Sequence, residues 1–365
     1  MKRLTALLLI LCLLLCACAK KPDTSAESTG NTEPSATADP QKDTEPTEPT
    51  ETEPAETVPQ AIRHPLTGAV LEEPWIGTVT GVMINNIRVA MPQCGISHAD
   101  ILCEMEVESG ITRCLALFSD LSEVEAIGPL RSARSGFNSL AASFDAILVH
   151  CGGSDFALKG MYGENLKLDN WKHIDEISNG SYFFRDKARQ QAGYAYEHTL
   201  FTKGELLEQI LEDKKMNIPV DKSGGFQFQE GVDLKGEKAE EVVVTFKGGK
   251  TSTFIYDSAT GLYKMHQFGK GNVDGNTGET VAFKNVIAIY TDQWLASNGV
   301  HVFYTTVGSG EGYAAVNGKI VPVIWSREDV NSPFTFALAD GTPLQLDVGT
   351  TYFALVGINN PISYK

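Results

Sequence analysis

Arg131 and Arg134 stand three residues apart, ahead of Phe137, Leu140, Ala141 and Phe144, whose spacing predicts a helix over 131–144. Both guanidinium groups would then face one way at a helix start, where the first N–H groups already favour an anion. That is the chemistry of a carboxylate or phosphate site. The same arginines would equally be satisfied inside the protein by Glu104, Glu106 or Glu108, and both readings stand open. The three glutamates alternate along one predicted strand, so their carboxylates line up about 7 Å from one to the next. Such a row wants cations, and Arg113 lies across the predicted hairpin from it. A metal would need convergent oxygen ligands, with Asp100 as a recruit, but the spacing has no calcium-loop pattern and no metal ion is expected. Glu104 and Glu108 offer another chemistry: with His150 or His198 they could serve as acid and base on a cell-wall glycoside.

His150 closes the apolar run from Ala146 and is followed by Gly152-Gly153-Ser154, which puts it at the carboxyl end of a strand, the usual ligand-facing position in an α/β sheet. Ser154 suggests a nucleophile, but Asp155 and Phe156 follow it where a Gly-x-Ser-x-Gly elbow would need a glycine. A glycine turn beside a hydrogen-bonded core histidine is the simpler account. Arg185 and His198 complete a candidate ligand-binding set of Arg113, Arg131, Arg134, His150, Ser154, Arg185 and His198. Gly308, Gly310 and Gly312 lack the Gly-x-Gly-x-x-Gly spacing and lie between strand-like runs, so a glycine turn is expected there, and no nucleotide or other cofactor. Tyr304, Tyr313, Trp294 and Trp325 could stack on sugar rings or fill the core. Cys94, Cys103, Cys114 and Cys151 match no zinc spacing, and Cys103 and Cys114 read as small buried hydrophobes.

The elements that must position these residues follow from periodicity. Val79 to Ile84 is an apolar run, and Ile101 to Val107 and Ile111 to Phe118 predict a hairpin turning at Glu108-Ser109-Gly110. A strand at 146–150, a short helix from Asp155 and an amphipathic helix from Lys203 to Lys215 follow. From about residue 219 the texture changes to short strands, at 242–246, 253–256, 286–290, 302–306, 320–325, 334–338 and 352–356. The fold class is therefore α+β: an N-terminal α/β domain with a mixed sheet over 61–218, then a mostly β domain over 219–365.

Lys2 and Arg3 precede an apolar run from Leu4 to Leu15 that is too short for an ordinary membrane span. The run closes on Leu15-Cys16-Ala17-Cys18, which resembles the lipobox of bacterial lipoproteins, so residues 1–17 are predicted as a signal peptide and Cys18 as the acylated residue. Cys16 would put Leu15 at the cut, where a small residue is needed. Residues 19–60 are rich in Thr, Glu and Pro, repeat Thr-Glu-Pro, and offer almost nothing to build a core, so a disordered tether is expected. Such a chain of 42 residues would reach about 130 Å if extended and average about 35 Å as a coil. The whole chain carries −16; the +2 of the signal and the −7 of the tether leave −11 for residues 61–365. An acidic body argues against a nucleic-acid partner.

His64-Pro65-Leu66-Thr67-Gly68, Ile84-Asn85-Asn86, Ala90-Met91-Pro92-Gln93, Ala99-Asp100-Ile101, Glu104, Glu108-Ser109-Gly110-Ile111-Thr112-Arg113, Gly128-Pro129-Leu130-Arg131-Ser132-Ala133-Arg134 and His150 to Ser154 resemble the N-terminal signature of the YerB-like lipoproteins. Lys284-Asn285-Val286, Gly308 to Gly312 and Trp325 are similar to that family's C-terminal domain. The chain departs from the pattern at Glu197-His198-Thr199, where Pro-His-Asn is typical, and at Asn272, where a histidine is usual. The resemblance implies a two-domain lipoprotein without a settled activity. The reading that joins these strands is a lipid-anchored protein on the extracytoplasmic face of the cell membrane. It is expected to be a binding or assembly factor for an anionic cell-envelope ligand or an exported protein. A cell-wall hydrolase or transferase is the alternative.

Overall fold

The computed structural model describes residues 61–162, 172–220 and 224–365; Cys18 and the predicted tether lie outside them. The first half supplies β1 (Thr80–Asn86), β2 (Ile101–Glu106), β3 (Thr112–Phe118), α1 (Ser135–Ser143), β4 (Ile147–His150), α2 (Asp155–Tyr162), β5 (His173–Asp175) and α3 (Gly204–Asp213). The second half supplies β6 (Glu241–Thr245), β7 (Thr251–Asp257), β8 (Leu262–Gln267), β9 (Asn285–Thr291), β10 (Gly308–Val316), β11 (Lys319–Arg327), β12 (Thr335–Ala337), β13 (Thr351–Gly357) and β14 (Ile362–Tyr364). The fold is α+β with a mostly β second half.

Both halves build one 11-stranded sheet in the order β12-β11-β10-β9-β13-β2-β3-β1-β4-β5, with Glu237–Lys238 added beside β11. It is mixed: β9 and β2 flank β13 in parallel, as do β1 and β5 about β4, and the remaining neighbours are antiparallel. The junction between the halves is the β13–β2 ladder, in which Ile101 lies opposite Thr351 and Met105 opposite Leu355. Every residue of β1, β2, β3 and β13 is buried. Strands covered on both faces read as largely apolar runs, and the polar residues within them, among them Asn85, Asn86, Glu104, Glu106 and Arg113, are buried with the rest. One face, with Val82, Ile84, Leu102, Ala116 and Tyr352, is closed by α3 and a second, six-stranded sheet built on β8-β7-β6-β14. Phe254 of β7 meets Tyr352 there at 4.4 Å between ring centres. The other face, with Met83, Met105, Leu115 and Phe353, is closed by Phe137, Leu140 and Phe144 around α1 and by Phe226, Phe334 and Phe336.

Two expected elements take a different form. The helix begins at Ser135 and not at Arg131, because residues 130–133 are extended and pair with neighbouring backbone: Arg131 N–H donates to Met83 O, and Ala133 N–H to Gly152 O. Arg134, with φ −136° and ψ 149°, is the residue just ahead of the helix. Gly308, Gly310 and Gly312 form no turn; they open the nine-residue strand β10. A Cβ at Gly310 would lie 2.6 Å from the Trp325 ring nitrogen and one at Gly312 2.6 Å from Ala288 O, so glycine here lets a ring and a backbone approach closely. Trp325 is core, 1% exposed. The four cysteines after residue 60 are unpaired, with Cys103 and Cys114 inside the sheet. Among the described residues no helix is long and apolar enough to cross a membrane.

Candidate functional site

At the carboxyl end of β1 the hairpin turn after β2 folds Glu108 back over the sheet, helped by left-handed backbone at Ser109 and Gly110 (φ 57° and 73°). Arg113 sits in β3 opposite Asn85 and Met105. Its Nη2 donates to Glu108 Oε1 at 2.7 Å and its Nη1 to Ser132 O at 2.6 Å. Arg134 grips the same carboxylate through Nε at 2.8 Å and Nη2 at 2.5 Å. Burial alone would raise the Glu108 carboxyl; the Arg134 hydrogen bonds and the charge of Arg113 outweigh it and hold it below the usual range. Arg113, 2% exposed, is pushed down to about 9 by burial and by the like charge of Arg134, and still carries its proton at neutral pH. Of the two open readings for the arginines, Arg134 takes the intramolecular one.

Arg131 differs. Its Nη1 stands 3.8 Å from Glu197 Oε1, and its Nε is buried with no hydrogen-bond partner. Glu197 also faces His198, whose Nε2 is 3.6 Å away and whose Nδ1 meets Asn85 Nδ2 at 3.0 Å. Arg185 reaches the same segment, donating from Nη1 to Tyr196 O at 2.9 Å with its guanidinium 3.9 Å over the Tyr196 ring. Arg113, Arg131, Arg134, Arg185 and His198 are thus tied to two short segments, 108 and 196–198.

His150 and Ser154 are not brought into that set. His150 is fully buried; its Nδ1 meets Gly152 O at 2.8 Å, and its Nε2 meets His173 Nδ1 at 3.1 Å. The Ser154 hydroxyl accepts from Ala157 N–H at 3.2 Å, which caps α2. No hydrogen bond joins His150 to Ser154 among the described residues, and the core-histidine account holds in place of the nucleophile.

Glu104 corrects the acid–base reading. It is fully buried on the face toward the second sheet. Its oxygens accept from Asn86 Nδ2 (2.8 Å), Thr112 Oγ1 (2.6 Å), Ser252 Oγ (2.7 Å), Tyr352 OH (2.7 Å) and the Lys250 ammonium. Burial would raise this carboxyl, but Lys250 and the hydroxyl donors overcome it and hold it low. With its acceptors occupied and no path to solvent, it cannot exchange a proton with substrate. The expected row of three carboxylates is also broken, since Glu108 lies beyond the strand end and turns to the opposite face. Glu106 stays in β2, raised by burial, with one oxygen unpaired.

The buried polar chain around Glu104 was not singled out by residue type. Gln93 Nε2 bonds Asn85 O at 2.8 Å and Asn86 Oδ1 at 3.2 Å, and Asn272 Nδ2 bonds Gln93 Oε1 at 3.2 Å. The polar pair Asn85-Asn86 closing an apolar strand is the one local signal that could have found it, since a buried amide must have partners. Asp274 ties the halves further, accepting from the backbone of Gly95 at 3.1 Å and Ser97 at 2.9 Å.

A mixed sheet shared by two halves, with Arg113 and Arg134 clamped on Glu108 at one end, defines an α+β protein. Residues 66–217 match the N-terminal domain, and 242–353 the C-terminal domain, of the family described as "Protein of unknown function (DUF3048)"; the chain belongs to that family. It is 27% identical over 303 residues to the Bacillus subtilis (strain 168) protein named "Putative lipoprotein YerB", covering 81% of this chain and 86% of that one. The crystal structure of YerB protein from Bacillus subtilis superimposes with a TM-score of 0.69 at 26% identity, over 83% of this chain and 99% of that one.

Proposed function

We infer that the protein is a lipoprotein held through Cys18 at the outer face of the cell membrane. There it binds an anionic cell-envelope ligand through the arginine cluster at the carboxyl end of β1. The observation that carries this is a local excess of positive charge in an acidic body. Three guanidinium groups, of Arg113, Arg131 and Arg134, face two carboxylates, Glu108 and Glu197, and Arg185 holds the neighbouring Tyr196 carbonyl. Arg131 keeps a buried donor without a partner, and such a group is stabilised by an incoming acceptor. Arg113 and Arg134, already spent on Glu108, hold the wall of the site. His198 and Arg185 flank it.

Titration calorimetry of the protein with a glycerol-phosphate oligomer and with a carboxylate-bearing muramyl peptide tests the reading. A charge-assisted hydrogen bond is worth about 1.5–3 kcal/mol, so Arg131→Ala should weaken the better of the two probes by about ten- to a hundred-fold, and Arg131→Lys by less. Undiminished affinity in Arg131→Ala, or no heat from either probe, overturns it.

A further inference from the structure

The same end of the sheet carries a second concavity on its other face, where the β2–β3 turn meets the second sheet. It is a cavity of about 490 Å³, within the size range of small-molecule sites. Its polar side is Asn86, Arg88 and Lys250, and its apolar side is Ile87, Ile111 and Phe268. Among the described residues no aspartate or glutamate lines it, although the body carries −11. Lys250 is neutralised by Glu104 beneath it and so contributes a donor. Arg88 is exposed, forms no ion pair among the described residues, and sits with its guanidinium carbon 5.3 Å from the Phe268 ring centre. The uncompensated charge at the mouth is therefore positive.

Phe268 supplies the second, independent observation. Gln267 pairs with Lys270, leaving a two-residue hairpin turn of Phe268 and Gly269 with φ +54° and +83°. Turns of this kind take asparagine or glycine at the first position, because a side chain there crowds the backbone. An aromatic residue held in that conformation works against the fold, and such residues collect at binding sites. Here the ring is half-exposed and set on the cavity rim beside a guanidinium.

We propose that this cavity binds an organic anion, its phosphate or carboxylate head on Arg88 and Lys250 and its flat or apolar body against Phe268, Ile87 and Ile111. This site is separate from the arginine cluster, which lies on the opposite face of the same turn. The test uses the mature chain with phenyl phosphate, inorganic phosphate and benzyl alcohol as probes, followed by calorimetry and thermal melting. Phenyl phosphate should bind about tenfold or more tighter than inorganic phosphate, since it adds a buried ring to the charged contact, and benzyl alcohol should give no heat. Arg88→Ala should lose about tenfold in phenyl phosphate affinity. Phe268→Gly should lose as much while melting at the same temperature or higher, because glycine suits the turn better. Arg131→Ala should leave phenyl phosphate binding unchanged. Undiminished binding in Phe268→Gly or Arg88→Ala, equal binding of the neutral probe, or loss in Arg131→Ala alone would each overturn the proposal.

Discussion

His64, His150, His173 and His198 all have their pKa values lowered, each by burial first, with Asp100, Asp175 or Glu197 opposing it in part. A histidine kept neutral in the folded state takes up a proton more readily once unfolded, so stability falls as pH drops below about 6.5, the unfolded value. Asp100 and Glu106, raised by burial, act in the opposite sense nearer the carboxylate range. On the alkaline side burial raises the thiols of Cys94 to about 11 and Cys151 to about 12. Unfolded thiols ionise near 8.5, and stability falls as pH rises through that value. The melting temperature should therefore peak between about pH 6.5 and 8.5, with a shallower acid slope in His150→Gln; a flat profile from pH 7 to 5 would contradict it. At this scale the sequence is readable where partners are close. The pairing of Arg134 with Glu108 was one of two open readings and Arg113 stood across the hairpin from the glutamate row, because these residues lie within 26 positions of each other. The partners of Glu104 were hidden, because Lys250, Ser252 and Tyr352 stand 146, 148 and 248 positions away, and nothing local marks which lysine returns to it.

Strand β13 carries the largest consequence among the elements. It fills the gap between β2 and β9, so removing it exposes the edge of β2 along with an apolar face on each side. A chain ended at residue 340 should fail to fold in its first half as well as its second, seen as loss of dispersed amide signals throughout the NMR spectrum. A native-like spectrum for residues 61–218 would refute the shared sheet. The strand itself was legible as the apolar run 352–356, as were the β2–β3 hairpin and α3. Its place in the middle of the other half's sheet was not, since periodicity reports which faces are buried and not what buries them. Strand β8 escaped notice because its inward set, Tyr263, Met265 and Gln267, ends on a polar residue while apolar Leu262 stands on the outward set, which breaks the apolar–polar alternation at both ends. The start of α1 was misplaced because apolar spacing continues backward through residues whose backbone amides are claimed by β1 and the 152 turn.

Residues 61–365 carry −11, and residues 19–60, the segment expected from the sequence to tether them, carry −7. Two like-charged segments repel at low salt, and a two-chain lipid anchor is strong enough to hold them at a surface. Cys18→Ala should release the protein into the medium, measured by fractionating cells and culture fluid; retention with the membrane would remove the anchor. The donors that complete Glu104 also set an order in time. A chain delivered from its N-terminus supplies Asn86 and Thr112 first, Lys250 and Ser252 much later, and Tyr352 last of the five. Until that tyrosine emerges the carboxylate has no complete shell and the sheet has no centre, so the first half must wait, open and sticky, for β13 to arrive. A pause or cut ahead of β13 therefore leaves both halves unmade.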